Sequence, residues 1–219
     1  MFDFTEARTN MVDSQLRPNG ITDARILNAM QNVLRESFVT EGSRDIAYMD
    51  GNVPLNGAAT NRYLMEPMAF AKMAQLADIK ASDKVLEIGS ATGYGTTVLR
   101  QLSGQVVAVE QDQALLALAK LNLAGMVNLT LIENALAAGW AKAAPYDVIL
   151  ISGSVETVPE VLFSQLSEGG RLVAAVGNGP VTKCCLWTKT GSFLASRPAF
   201  DIAVAPLPGF GKLSAGFAF

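Results

Sequence analysis

The sequence contains no histidine. Without imidazole there is no Ser-His-Asp triad, no Cys-His dyad and no histidine-based metal site, so any chemistry must run on other groups. Cysteine is almost as scarce: Cys184 and Cys185 are the only two, and they are adjacent. A bridge between neighbours is strained and the spacing fits no zinc motif, which predicts reduced, buried thiols, no bound metal and a cytoplasmic setting. Positive charge is not clustered and the formal net charge is −3, so no nucleic-acid surface is indicated. Apolar runs stay short of membrane-spanning length, and the N-terminus lacks the basic-then-apolar layout of a signal peptide. Internal repeats and low-complexity stretches are lacking too. What is present is a chain of 219 residues, half of them apolar, which suffices for one full core.

Residues 1–35 predict two helices. The first carries Phe2, Phe4, Met11 and Leu16; Pro18-Asn19-Gly20 turns the chain; Thr22 or Asp23 caps a second helix bearing Ile26, Leu27, Met30 and Val33. This reads as an arm packed on the main domain, with homodimerisation as the alternative use. Residues 36–66 read as a long loop, and loops of about 30 residues in compact domains are more often functional than idle. The division expected is therefore 1–66, helices and loop, and 67–219, the main domain. Pro67 suits the first turn of a helix with Met68, Phe70, Met73, Leu76 and Ile79. Strands are expected at 84–88, 106–109, 129–132, 146–151 and 171–176. Helices are expected at 96–102, 114–124 (with Gly125 as its C-cap) and 158–166. Residues 181–188 and 192–205 read as a closing antiparallel pair. Strands alternating with helices predict an α/β fold with a doubly wound, mostly parallel sheet, extended by the helical arm and the antiparallel strands. The apolar tail after Pro206 is expected to cover a sheet edge or a partner subunit.

The organising stretch is Lys84-Val-Leu-Glu-Ile-Gly-Ser-Ala-Thr-Gly-Tyr-Gly95, a buried strand, a Gly-rich turn and the start of a helix. Such a turn lets a ligand approach bare backbone at a helix N-terminus. A dinucleotide fold wants Gly-x-Gly-x-x-Gly, but here those positions hold Gly89, Ala91 and Tyr94. The other spacing, acid-x-Gly-x-small-x-Gly, is met by Glu87, Gly89, Ala91 and Gly93, and resembles motif I of class I S-adenosylmethionine-dependent methyltransferases. That cofactor has an amino-acid end, a sulfonium and an adenosine, with no phosphate. Glu87 and the turn residues Gly89, Ser90, Ala91, Thr92 and Gly93 suit its methionyl end. Glu110, with Gln111 after it, ends the next strand, where a carboxylate accepts hydrogen bonds from ribose hydroxyls. Asn134 and Ala135 end the third strand, and Asn134 suits the adenine edge. Read singly, Glu110 is equally an ordinary helix-start carboxylate and Asn134 an ordinary turn residue.

Further blocks sharpen the resemblance. Arg35-Glu-Ser-Phe-Val, Ala47-Tyr-Met-Asp50, Pro145-Tyr-Asp-Val-Ile149, Val158-Pro159 and Gln165-Leu-Ser-Glu-Gly-Gly170 occur in this order around motif I. With them the chain is similar to the protein-L-isoaspartate O-methyltransferase family from about Arg35 to Gly177. The resemblance implies a methyltransferase fold with an N-terminal helical addition, a protein or peptide substrate, and repair of isoaspartyl residues by methyl-esterifying the misplaced carboxylate. That chemistry suits a chain without histidine, because a carboxylic acid is already ionised at pH 7 and needs only alignment with the methyl group.

One segment departs from the family. Its Thr-Ile-Ser-x-Pro loop, with the serine hydroxyl at the transfer site, is Tyr63-Leu-Met-Glu-Pro67 here, and the loop from Gly57 is longer by about two residues. Its Gly-Asp-Gly after the third strand is Glu133-Asn134-Ala135. Met65 donates no hydrogen bond and reads as a core-filling side chain. Glu66, if it faced the site, would repel an anionic substrate by about 4 kcal/mol at an effective dielectric of 20. Residues 63–67 are thus the candidate substrate loop, and no catalytic residue is assigned. Three outcomes follow: an isoaspartyl methyltransferase, an O-methyltransferase turned to another acceptor with Glu66 as a base, or a cofactor-binding protein without transfer activity.

Overall fold

The computed structural model describes residues 2–55 and 61–210. The elements run α1 Phe4–Asn10, α2 Ala24–Asn32, β1 Val53–Pro54, β2 Tyr63–Leu64, α3 Pro67–Ala77, β3 Lys84–Ile88, α4 Tyr94–Leu102 and β4 Gln105–Glu110. They continue with α5 Gln113–Asn122, β5 Leu129–Glu133, β6 Tyr146–Val155, α6 Glu160–Ser164, β7 Leu166–Val176, β8 Thr182–Thr190 and β9 Phe193–Ile202. Among the described residues the main sheet has seven strands in the order β5-β4-β3-β6-β7-β8-β9. β5 to β7 are parallel throughout, and β8 and β9 close the sheet antiparallel, as expected.

The strands are apolar on both faces because both faces are covered. Val85, Val106, Ala108, Val148 and Leu150 point into a core shared with α2 to α5. Leu86, Ile88, Val107, Val109 and Ile149 point the other way, toward Leu136, Leu162, Leu207 and Phe210. Each such side chain fully buried contributes roughly 1.5–3 kcal/mol. Period-two alternation puts Glu87 on the same face as Val85, beneath α3 and α4. The winding reverses between β3 and β6, so a crevice opens beyond their C-terminal ends, where ligands bind in such sheets.

The arm is anchored. Asp23 rather than Thr22 caps α2, accepting from the Arg25 amide at 2.8 Å. Gln75 on α3 accepts from the Thr22 and Asp23 amides at 2.8 and 3.1 Å and donates to the Gly20 carbonyl at 3.0 Å. Met11, Leu16, Leu27 and Met30 join the first core.

Some boundaries differ from expectation. Residues 36–66 are not all loop: they hold two 3-10 turns and the short β1–β2 ladder, none of which has the long period that marks a helix or strand. α5 stops at Asn122 rather than 124, and Leu123, not Gly125, ends it; its side chain is drawn down over Gly93. α6 is shorter than predicted, and β6 and β7 are longer. The tail covers no sheet edge as far as it is described: Leu207 and Phe210 pack over the second core at the ends of the parallel strands. The remainder of the tail, 211–219, and the Gly57 part of the 57–67 loop lie outside the described residues.

Candidate active site

The site grows from β3. After Ile88 the chain leaves the sheet through Gly89 at φ +83°, Ala91 at +50° and Gly93 at +97°. Left-handed Ala91 is uncommon for a residue with a Cβ and costs of order 1 kcal/mol, which the surroundings must hold in place. They do so with the Gly89 and Ser90 amides donating to the Val109 carbonyl at 2.9 and 3.2 Å, and the Gly93 amide to the Ser90 carbonyl at 2.9 Å. Thr92 donates to the Phe38 carbonyl at 2.6 Å, and its own carbonyl accepts from Asn122 at 2.9 Å. α4 then begins directly at Tyr94, without a side-chain cap.

Glu87 is 1% exposed and, among the described residues, faces no cation. Its carboxyl accepts from the Thr96 hydroxyl at 2.5 Å and the Ser152 hydroxyl at 2.8 Å. Burial pushes it up to about 7, against those two hydrogen bonds and with help from the Glu110 charge. Ser90, beside it, is 3% exposed and its hydroxyl oxygen has no hydrogen-bond partner.

Glu110 is fully buried at the end of β4 and is fully partnered. It accepts from the amides of Ala91 at 2.8 Å, Gln111 at 2.9 Å and Asp112 at 3.0 Å. Arg62 adds a bidentate pair, Nη1 to Oε1 at 2.6 Å and Nη2 to Oε2 at 2.7 Å. The other adenosine-side candidates are engaged locally. The Gln111 side chain accepts from the Leu136 amide at 3.3 Å, Asn134 donates to the Gly139 carbonyl at 2.8 Å, and Ala135 is exposed.

The substrate-loop candidates are held from below. Buried Arg35 donates to the Ala47 carbonyl at 2.5 Å and the Met65 carbonyl at 2.6 Å, with its guanidinium 4.7 Å over the Tyr94 ring. Burial pushes that guanidinium down from its ordinary value. Met65 is 8% exposed and belongs to the core, as predicted for a filling side chain, yet it also lines the crevice with Tyr63, Leu64 and Gly89. Tyr63 is 38% exposed and Pro67 is the first residue of α3. Glu66 does not line that crevice; burial, and then neighbouring Asp50, push its carboxyl up.

The crevice lining therefore brings together Glu87, Gly89, Ser90, Ala91 and residues 63–65, with Glu110 tied to the turn through the Ala91 amide, and leaves Glu66, Pro67, Thr92, Gly93, Glu110, Gln111, Asn134 and Ala135 outside it. Sequence reasoning missed Arg62, Thr96, Ser152 and Leu207. Arg35 is visible in the sequence only as part of a motif. Arg62 meets Glu110 across 48 residues, a separation that no local pattern reveals. The crevice over the turn holds about 20 Å³ and its neighbour, lined by Arg62, Gly153 and Leu207, about 10 Å³. A cavity of about 460 Å³ lies away from both acids, between α5 and residues 37–40, and meets the turn only at Thr92.

A sequence model of the family described as protein-L-isoaspartate(D-aspartate) O-methyltransferase matches residues 7–197. The chain belongs to this family. A protein-L-isoaspartate O-methyltransferase of Koribacter versatilis (strain Ellin345) is 38% identical over 208 residues, 94% of this chain and 92% of that protein. One from Methylorubrum extorquens (strain PA1) is 40% identical over 178 residues, 80% of this chain and 76% of the relative. Among solved structures, a protein-L-isoaspartate O-methyltransferase superposes with a TM-score of 0.82 at 25% identity, covering 92% of this chain and 66% of that one, just under two thirds of its length. A Plasmodium falciparum structure described as a β-aspartate methyltransferase with S-adenosyl-L-homocysteine, 19% identical with a TM-score of 0.76, shares the fold; it covers 91% of this chain and 97% of that one. Among the described residues no helix is long and apolar enough to cross a membrane, and no cluster of His, Cys, Asp and Glu suits a metal ion.

Proposed function

We propose that this protein is an S-adenosylmethionine-dependent O-methyltransferase that esterifies isoaspartyl carboxylates in proteins or peptides. The observation that carries the reading is the pair of buried acids on neighbouring strands, Glu87 and Glu110, on either side of a left-handed Gly-rich turn, in a chain of this family. The residues fit the cofactor's chemistry. Ser90 offers an unpartnered buried hydroxyl, Glu87 is a carboxyl facing no cation among the described residues, and Glu110 is a carboxylate at the strand end.

In this reading Glu87 receives the ammonium group, Ser90 and the backbone of residues 89–93 hold the methionyl end, and Glu110 accepts from the ribose hydroxyls. Gln111, Asn134 and Ala135 form the adenine side. When bound, the cofactor supplies a methyl group on a sulfonium. The chain has to exclude water and align a carboxylate that is already ionised, so no histidine or other general base is required. Arg35 keeps the Met65 carbonyl fixed against α4 and so sets the wall of residues 63–65 beside the turn. Free, unbridged cysteines support a cytoplasmic setting.

The test is incubation with an isoaspartyl peptide and methyl-labelled cofactor. Base-labile methyl ester is expected; none at any enzyme concentration sinks the isoaspartyl assignment. Buried Met65 at the family's serine position favours one second reading, methyl transfer to a less anionic acceptor. Label recovered in another acceptor, with the isoaspartyl peptide untouched, decides for it.

A further inference from the structure

Resting on the cofactor reading above, we propose that Arg62 and Leu207 form a latch across the cofactor groove, and that Arg62 sets cofactor affinity by competing with the ribose for Glu110. Three amides and two guanidinium N–H groups converge on the Glu110 carboxylate, which offers about four acceptor sites. A ribose diol gains this carboxylate only by displacing the guanidinium. Leu207 does for the turn what Arg62 does for the acid. Its methyl carbons stand 3.0 Å from where a Cβ on Gly89 would lie, and its Cγ 2.6 Å from that of Gly153. These glycines follow β3 and lie within β6, so Leu207 sits at the point where the winding of the sheet reverses, the ligand position of this fold class. With both in place the crevices hold about 20 and 10 Å³, whereas small-molecule sites run to several hundred.

Two features mark the cover as a latch and not a permanent filling. First, polar groups wait in the adjoining crevice: the Ser90 hydroxyl has no partner, and Glu87 is buried with no cation beside it among the described residues. A groove filled for good would have those positions apolar or paired. Second, the attachments are slight. Arg62 enters from the ladder of the two-residue strands β1 and β2, and Leu207 is held by its amide to the Ser154 carbonyl at 2.8 Å and by the Ser154 amide to the Ala205 carbonyl at 2.9 Å. The pair itself is ionic, and an apolar pair of the same volume would close the groove as firmly or more so.

Calorimetry with S-adenosylhomocysteine tests this on the full chain, comparing the parent with Arg62→Ala and Arg62→Lys. A latch closed about nine-tenths of the time lowers apparent affinity about tenfold, so Arg62→Ala is expected to bind about tenfold tighter or better, with Arg62→Lys between. Equal or weaker binding by Arg62→Ala overturns the latch and leaves the cofactor reading standing. Binding by neither protein at millimolar ligand overturns both. Should Arg62→Ala fail to fold, amide exchange on the parent decides. Ligand should speed exchange at residues 62–65 and at Leu207 while slowing it at residues 90–93; no speeding overturns the latch.

Discussion

Two carboxylates on neighbouring parallel strands are equally buried and are treated in opposite ways. Glu110 has an arginine and three amides around it. Glu87 has two hydroxyls, no cation among the described residues and a carboxyl pushed up to about 7. A buried charge needs paired and hydrogen-bonded surroundings, and a buried acid without them keeps its proton. The fold has therefore completed one acid and left the other incomplete. In the proposed reading the incomplete one is the end of the groove that would take the cofactor's ammonium group, and the complete one is the end that Arg62 occupies.

The largest effect that would break this contrast is expected at the completed acid. Glu110→Ala leaves the Ala91, Gln111 and Asp112 amides, and with them the Arg62 guanidinium, without their acceptor, which costs about 3–5 kcal/mol. Urea unfolding should show this as a drop in midpoint at unchanged slope. Adding Arg62→Met to Glu110→Ala should recover only the part due to the unpaired guanidinium, because the Ala91, Gln111 and Asp112 amides still lack their acceptor. A single-variant cost below about 1 kcal/mol would mean that the pair is solvated and not buried.

At the incomplete acid the expectation has a pH dependence. An unfolded glutamate titrates near ~4.3. Below that both states hold the proton and Glu87 is neutral for stability. From there to about 7 only the native state holds it, so stability falls as pH rises, by about 1.4 kcal/mol per unit and about 4 kcal/mol in all. Above about 7 the loss is complete. Glu87→Gln should flatten this slope in unfolding curves taken between pH 4 and 8. An unchanged slope would mean that Glu87 is ionised in the native state, which ends the contrast with Glu110.

The same contrast shows what a sequence can carry. Both acids, Gly89 and Gly93 were legible because a buried parallel strand is a continuous apolar run, an acid interrupts it visibly, and a left-handed turn calls for glycine. What completes Glu110 was not legible. Arg62 lies in a stretch without helical or strand period and meets its partner only through tertiary folding. Leu207, in an apolar tail, has nothing in its neighbourhood to say that it lies over Gly89. Gln111 and Asn134 were read from position along the strand ends, which fixes where a residue stands but not which backbone group its amide engages. The helical arm, by contrast, followed from an amphipathic period and an Asp cap, both local.

Gly95 is where packing enforces the difference. A Cβ there would overlap the Glu87 carboxylate and come within 2.8 Å of Phe70. Gly95→Ala should cost about 1–3 kcal/mol, as overpacking does. It should also drive Glu87 out of its two hydroxyl contacts and flatten the pH slope described above. A stable variant with the slope intact would mean that α4 shifts to make room and that Glu87 does not depend on the glycine.

The smallest effect should come from the hydroxyls. Thr96→Val keeps the shape of the side chain and removes the donor at 2.5 Å from Glu87. That hydrogen bond favours the ionised form, so its loss should raise the Glu87 pKa further and cost about 1 kcal/mol at neutral pH. Carbon-detected NMR titration of the Glu87 carboxyl reads the shift directly. Ser152→Ala removes the other donor and should act in the same direction. If either substitution lowered the pKa, the hydroxyls would be holding the protonated carboxyl as acceptors, and Glu87 would be set as a neutral hydrogen-bond donor, not as a carboxylate awaiting a cation.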